Sequence, residues 1–290
     1  LQRAGLHREG EALVVSVAES WLRRPLVSGR LEQRGSAASA ASAVQTESDL
    51  EIAWRHAREA QSRLKSHFSL WTVEALAVSG SPAREILNKA SEWQAELVAL
   101  GCQGSSAMGR FLLGSVSQKV VHEAECSVRI CRGTGWKTSA PVRILMGVDG
   151  SLGAEEAVKA VAGRSWPLYS EVRLVTVIDP TEHGASTNIE NPDDSWIRPV
   201  LDSAESQLRA VELNVSSKIE VGDPKHILVA SADEWGADCI VLGAGKSPSQ
   251  FSLGSVSTAV VARGRCSVEV IRARKMMSSH QNESTNPPGG

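Results

Sequence analysis

The sequence lacks the marks of a nucleic-acid binder, a membrane protein or a metalloprotein. Its 31 Lys and Arg fall short of its 33 Asp and Glu, giving a formal net charge of −2 and a pI near 6.4. The basic excess that a phosphate backbone demands is missing, which argues against a nucleic-acid partner. No apolar run reaches the ~18 residues of a membrane-spanning helix, so no membrane partner is expected. No secretory signal is visible, although the chain begins with Leu1 rather than Met. The five cysteines (Cys102, Cys126, Cys131, Cys239, Cys266) are odd in number and form no CxxC pair, and the seven histidines form neither HxxxH nor HExxH. Metal coordination therefore has no basis in the sequence. The cysteines lie in or beside apolar runs and read as buried free thiols of a reducing cytoplasm. What remains is ordinary globular composition, 42% hydrophobic and 22% charged over 290 residues, enough for about two domains.

Those two domains are copies of one another. "AREILNKASEWQAELVALG" (83–101) matches "PKHILVASADEWGADCIVLG" (224–243), pairing Trp93 with Trp235 and Gly101 with Gly243 at an offset of 142 residues. "LLGSVSQKVVHEAECSVRI" (112–130) matches "SLGSVSTAVVARGRCSVEV" (252–270) at an offset of 140, pairing Gly114 with Gly254 and Cys126 with Cys266. Small shifts of offset within a retained pattern indicate a tandem repeat. In copy 2, short Val/Ile/Leu runs ("VRILMGV", "VRLVTVI", "SKIEV", "DCIVLG", "SVEVI") alternate with helix-like segments. That alternation predicts parallel strands buried on both faces, an α/β doubly wound fold.

Copy 1 has the same later elements, but its front is missing. "ALVVSV" (12–17) answers to "RLVTVI", and the eleven residues before it read as the tail of a helix. A counterpart of the 142–148 strand would fall before residue 1. Losing a central strand leaves backbone groups unpaired, so the expectation is a fragment whose natural start lies about twenty residues earlier. The expected organisation is a truncated first domain (1–132), a polar linker (133–140), a second domain (141–274) and a disordered tail (275–290). "GSAASAASAV" (35–44) reads as a low-complexity loop. Thr46 and Asp49 then resemble a capping box that opens a helix over 49–64. The basic stretch Trp21–Arg34 reads as a solvated loop. Trp93 and Trp235 read as helix–sheet packing rather than a base-stacking platform.

Gly245-Lys246-Ser247 looks like the end of a Walker A loop, but the first glycine of GxxxxGK[ST] would have to be residue 240, which is Ile240. Copy 1 offers a better pattern. Gly101, Gly104 and Gly114-Ser115 form G-x2-G-x9-G-S, after a strand and opening a helix. Glycines allow close backbone approach, and a helix N-terminus presents free N–H groups and partial positive charge, which suit phosphate.

On these residues the chain resembles the universal stress protein family, as a tandem pair of its domains. The resemblance implies sheets of strand order 3-2-1-4-5, the first lacking its strand 1. It implies ATP as ligand, with or without Mg2+. Adenine would lie near an Asp ending strand 1 and a Val ending strand 2, and the phosphates in the glycine loop. Carried onto copy 1, it marks Val17, Gly101, Gln103, Gly104, Gly114, Ser115, Val116 and Ser117. Onto copy 2 it marks Val148, Asp149, Val177, Gly243, Gly254 and Ser255. Copy 2 departs from the pattern: Lys246 replaces the second glycine, and its loop is two residues shorter. The resemblance further implies an intramolecular pseudo-dimer through the last strands, "SVRIC" and "SVEVI", with further homo-oligomerisation open. No catalytic base stands beside the loop. The reading is therefore a nucleotide-binding stress or signalling protein that changes shape or partner. A slow ATPase and a structural module without nucleotide are the alternatives, and the short loop of copy 2 favours the structural module for that copy.

Overall fold

The computed structural model describes residues 3–19, 37–102, 113–133, 140–181, 197–245 and 253–273, with side chains in 37–48 set aside. Gln103, Gly104, Lys246, the Trp21–Arg34 stretch, most of the linker and the tail after Lys275 lie outside them. Copy 1 consists of β1 (Gly10–Glu19), α1 (Ala37–His67), β2 (Trp71–Gly80), α2 (Pro82–Glu92), β3 (Leu97–Gly101), α3 (Ser115–Glu123) and β4 (Ser127–Cys131). Copy 2 consists of β5 (Arg143–Gly147), α4 (Leu152–Ala162), β6 (Glu171–Ile178), α5 (Ile197–Arg209), β7 (Asn214–Val221), α6 (Pro224–Trp235), β8 (Cys239–Gly243), α7 (Ser255–Arg263) and β9 (Ser267–Ile271).

Copy 2 builds the doubly wound sheet in full. Its strands run β7-β6-β5-β8-β9, all neighbours parallel, which is the order 3-2-1-4-5. The period-2 pattern of β5 sends Ile144 and Met146 into a core with α4 and α5, and Leu145 into the opposite core with α6 and α7. The apolar runs of the sequence are continuous because both faces are covered.

Copy 1 is split. β3 and β4 join the copy 2 sheet, which becomes seven-stranded in the order β3-β4-β9-β8-β5-β6-β7. β1 and β2 pair in parallel as a separate two-stranded sheet, Gly10 opposite Trp71 and Val17 opposite Val78. A cavity of about 630 Å³ lies between β1 and β3, with Leu13, Val15, Val98 and Leu100 among its walls. This is the place that β5 fills in copy 2. The effect on burial is direct. Cys239 through Leu242 of β8 are buried, whereas their counterparts Leu97 through Leu100 in β3 are only half-buried. Among the described residues, Ala18, Ala53 and Ala77 form a small buried cluster beside β1 and β2.

Two local expectations are corrected. The alanine-rich stretch is not a loop, since helix α1 runs from Ala37 to His67 rather than opening near Asp49. Alanine has the highest intrinsic helix propensity, and that outweighs the low complexity of the segment. The residues before β1 form a turn rather than a helix tail, with Gly5 at φ 65°. A Cβ there would meet the Trp166 ring at 2.7 Å, and this close approach fixes the segment on copy 2. Arg3 completes the anchor by donating to both oxygens of Asp238, at 3.1 and 2.7 Å.

Candidate functional site

In copy 2 the strand order reverses between β5 and β8. Chains leaving those two strands diverge, and a crevice opens at their C-terminal ends, where ligands bind in open α/β sheets. β5 runs on into Val148 and Asp149. Val148 is buried; its N–H donates to Val175 O at 3.0 Å, and its carbonyl accepts from Thr176 Oγ1 at 2.7 Å. These bonds hold the end of β5 against β6, whose half-buried Val177 lies nearby. Asp149 is exposed, and its Oδ1 accepts the Ser151 N–H at 3.1 Å. Ser151 in turn caps α4, accepting from Ala154 N–H at 3.2 Å. Asp149 is thus a turn residue whose second carboxylate oxygen remains outside that turn.

The other wall is the exit of β8. Ala244 N–H donates to Ile271 O at 2.9 Å, and Gly254 N–H returns to Ala244 O at 2.7 Å. Gly254 then opens α7 in extended conformation, with no side-chain cap. The N–H groups of Ser255, Val256 and Ser257 therefore have no intrahelical acceptor and carry the positive end of the helix dipole. Ser257 Oγ donates to Gly243 O at 2.8 Å, a latch from helix start to strand end. Ser255 is exposed beside it.

Copy 1 repeats this wall. Gly114 N–H donates to Cys102 O at 3.0 Å, Gly114 opens α3 without a side-chain cap, and Ser117 Oγ donates to Gly101 O at 2.8 Å. Ser117 is buried by its latch, while Ser115 is exposed and Val116 half-buried. Among the described residues, no strand pairs with β3 on the side where β5 pairs with β8 in copy 2. Val17 sits on β1 in the separate two-stranded sheet, opposite Val78. So Val148 and Asp149 follow β5, Gly243 ends the adjacent β8, Gly254 and Ser255 open α7 after it, and Val177 lies on β6 packed against the α6–α7 core. The structure gathers Gly101, Gly114, Ser115, Val116 and Ser117 at one helix start, and leaves Val17 apart.

One close contact at the end of β8 escaped the sequence reading. Gly153, in the first turn of α4, touches the β8 exit: its Cβ, if present, would lie 2.6 Å from Gly245 O. A glycine inside a helix start, where it weakens the helix, was the available signal. Among the described residues no group of three or more metal-ligating side chains occurs, and no helix is long and apolar enough to cross a membrane.

The tryptophan expectation divides. Trp235 is half-buried against the core, with Arg173 stacked 4.4 Å from its ring centroid and Arg143 at 5.9 Å. Trp93 is 39% exposed and lines the β1–β3 cavity. Among the described residues, copy 1 has no counterpart of β5 to supply Arg143, and Ala12 stands at the Arg173 position.

Comparison with known proteins agrees with the repeat. The sequence model of the Universal stress protein family matches residues 27–132 and again 142–272. A universal stress protein of Thermus aquaticus is 46% identical over 59 residues, covering 20% of this chain and 43% of that protein, so the match spans less than half of its length. A putative universal stress protein of Staphylococcus haemolyticus is 29% identical over 152 residues, covering 50% of this chain and 92% of its own. The crystal structure of a universal stress protein from Archaeoglobus fulgidus superposes with a TM-score of 0.60 at 21% identity, covering 91% of this chain and 86% of that one. That likeness is one of fold. With the family pattern matched in both halves and the doubly wound sheet complete in the second, the chain belongs to the universal stress protein family.

Proposed function

We propose that the chain is a cytoplasmic adenine-nucleotide binder, taking ATP with or without Mg2+ at the copy 2 crevice and answering with a change of shape or partner. The observation that supports this reading is the uncapped start of α7 after β8, the strand beside the one that Asp149 follows, at the point where the strand order reverses. Asp149 offers a carboxylate oxygen to ribose or adenine donors, and Val177 an apolar edge to the base. The N–H groups of Ser255, Val256 and Ser257 would take a phosphate. The glycine at 254 keeps a side chain from standing in front of them.

The reading is tested by calorimetry of the purified chain with ATP and by measuring nucleotide released on denaturation. Gly254→Val is the control. The Cβ at 254 would lie 3.4 Å from its nearest neighbour, Ala244 O, and the backbone φ of −62° suits any residue, so the fold should tolerate it. Binding that is lost in Gly254→Val and kept in Gly114→Val supports the copy 2 crevice. The reverse pattern moves the site to copy 1.

One observation favours a second reading, a structural module without nucleotide. The space in front of Gly243 is filled by the Gly153 backbone. Absence of ATP binding in both the purified and the ATP-supplied chain would select it.

A further inference from the structure

β4 and β9 occupy the same place in the two copies, and they meet antiparallel: Val128 pairs with Val270, Arg129 with Glu269, Ile130 with Val268. At the repeat offset of 140, Arg129 and Glu269 are the same position. The pseudo-two-fold axis of the joint therefore passes between them.

The bonds around that axis come in matched pairs. Arg132 N–H donates to Ser267 Oγ at 3.1 Å, and Arg272 N–H to Ser127 Oγ at 3.1 Å. Arg132 Nη2 donates to Val261 O at 2.6 Å, and Arg272 Nη2 to Val121 O at 2.6 Å. Each guanidinium thus reaches the C-terminal part of the other copy's last helix, where carbonyls carry partial negative charge. Bonds of this kind are self-complementary, as in an isologous interface. They would form equally well between two β4 strands or between two β9 strands. They set the geometry of the joint without choosing the partner.

The axis position does choose. Arg129 Nη1 donates to Glu269 Oε2 at 2.7 Å, and the two side chains are 5% and 0% exposed. Arg164, from the turn after α4, donates Nη1 to Oε2 at 3.0 Å and Nη2 to Oε1, with its side chain 11% exposed. The Cys239 thiol beside Arg129 stays neutral, because burial pushes its pKa up. A joint of two β4 strands would bring two buried Arg129 guanidinia together with no carboxylate. A joint of two β9 strands would bring two Glu269 carboxylates together, each keeping one Arg164 where it now has two cations. Buried like charges are far costlier than exposed ones, and repulsion against the wrong partner is how such interfaces become specific.

We infer that Arg129 and Glu269 are the partner-selecting pair of this chain. They admit a joint between copy 1 and copy 2 and exclude joints between like copies. The surface that could make a homodimer is thereby used within one chain, and it fits a last strand with the opposite charge at its central position.

The test replaces the triad with apolar residues in the full chain, as Arg129→Val, Arg164→Met and Glu269→Val together, co-expressed with two different affinity tags. Buried ion triads can be exchanged this way with stability unchanged or raised, so a melting temperature at or above the parent's is expected. Like copies then become compatible, and capture of one tagged chain by the other should rise at least about tenfold over the parent. Capture equal to the parent's would overturn the inference. A second pair of variants guards against loss of folding. Arg129→Glu in one chain and Glu269→Arg in another each place like charges on their own axis, while together they restore opposite charges between chains. A heterodimer that forms only on co-expression supports the selector. Two variants that keep the parent's size, apart and mixed, overturn it.

Discussion

A Cβ placed on Gly243 would stand 2.3 Å from the carbonyl carbon of Gly153, so the end of β8 and the first turn of α4 touch backbone to backbone. Real Cβ atoms do not approach that closely, and the obstruction is main chain rather than a movable side chain. Gly243→Ala should therefore cost about 1–3 kcal/mol through overpacking. Urea unfolding of the parent and variant checks it, and the loss should be the same with and without ATP. A variant as stable as the parent would mean that α4 can slide away from β8.

The joint should be sensitive to acid. Burial alone would raise the Glu269 carboxyl, but the hydrogen bonds and charges of Arg164 and Arg129 outweigh it and hold the pKa below the ordinary 4.5. A depressed carboxyl contributes stability above its unfolded pKa and loses it as pH falls through the folded value. Parent stability should thus decline below about pH 4.3. Glu269→Gln should be less stable at pH 7 and show a flatter acid limb in melts from pH 7 to 3.

Thiol reactivity should be low at Cys266. Burial is the largest cause that pushes its pKa up to about 12, leaving almost no thiolate at pH 8. Mass-resolved alkylation of the native chain should label Cys266 slowly, and the unfolded chain should label it at the rate of a free thiol. Fast native labelling would show that the segment before β9 opens readily.

The two equivalent tryptophans should differ. Trp235→Ala removes a half-buried indole covered by Arg173 and should cost about 2–3 kcal/mol, less than a full core deletion. Trp93→Ala should cost under about 1 kcal/mol, as expected of a residue near the surface. Acrylamide quenching of Trp93→Phe and Trp235→Phe gives a second check, since quenching should fall more when Trp93 is removed.

Protection from hydrogen exchange should follow the split sheet. β5, β6 and β8 are buried and paired on both sides, whereas β1 and β3 border a cavity in place of a neighbour. Amides of β1 and β3 should exchange through local opening well before those of β5. Equal protection in both copies would require a strand in that cavity.

The sequence alone determined the repeat and most of the strand and helix succession. Each of these lives in local pattern: apolar runs of strand length, helix-starting "GSVS" and matched offsets. The match of "ALVVSV" to "RLVTVI" was legible because copy 2 supplies the template. α1 was misjudged because low complexity says little about backbone state when the residue is alanine. The spacing of Gly243 and Gly254 is visible in the sequence, yet only the tertiary structure decided what Gly243 touches, because Gly153 lies ninety residues away in sequence. The same holds for Arg129, Glu269 and Arg164. A charge inside an apolar strand is visible in "SVRIC" and "SVEVI". That the two charges meet on one axis, with a third arriving from the α4 turn, is set by register and packing across the joint. Local sequence fixes which elements form, while long-range contact fixes which side chains meet.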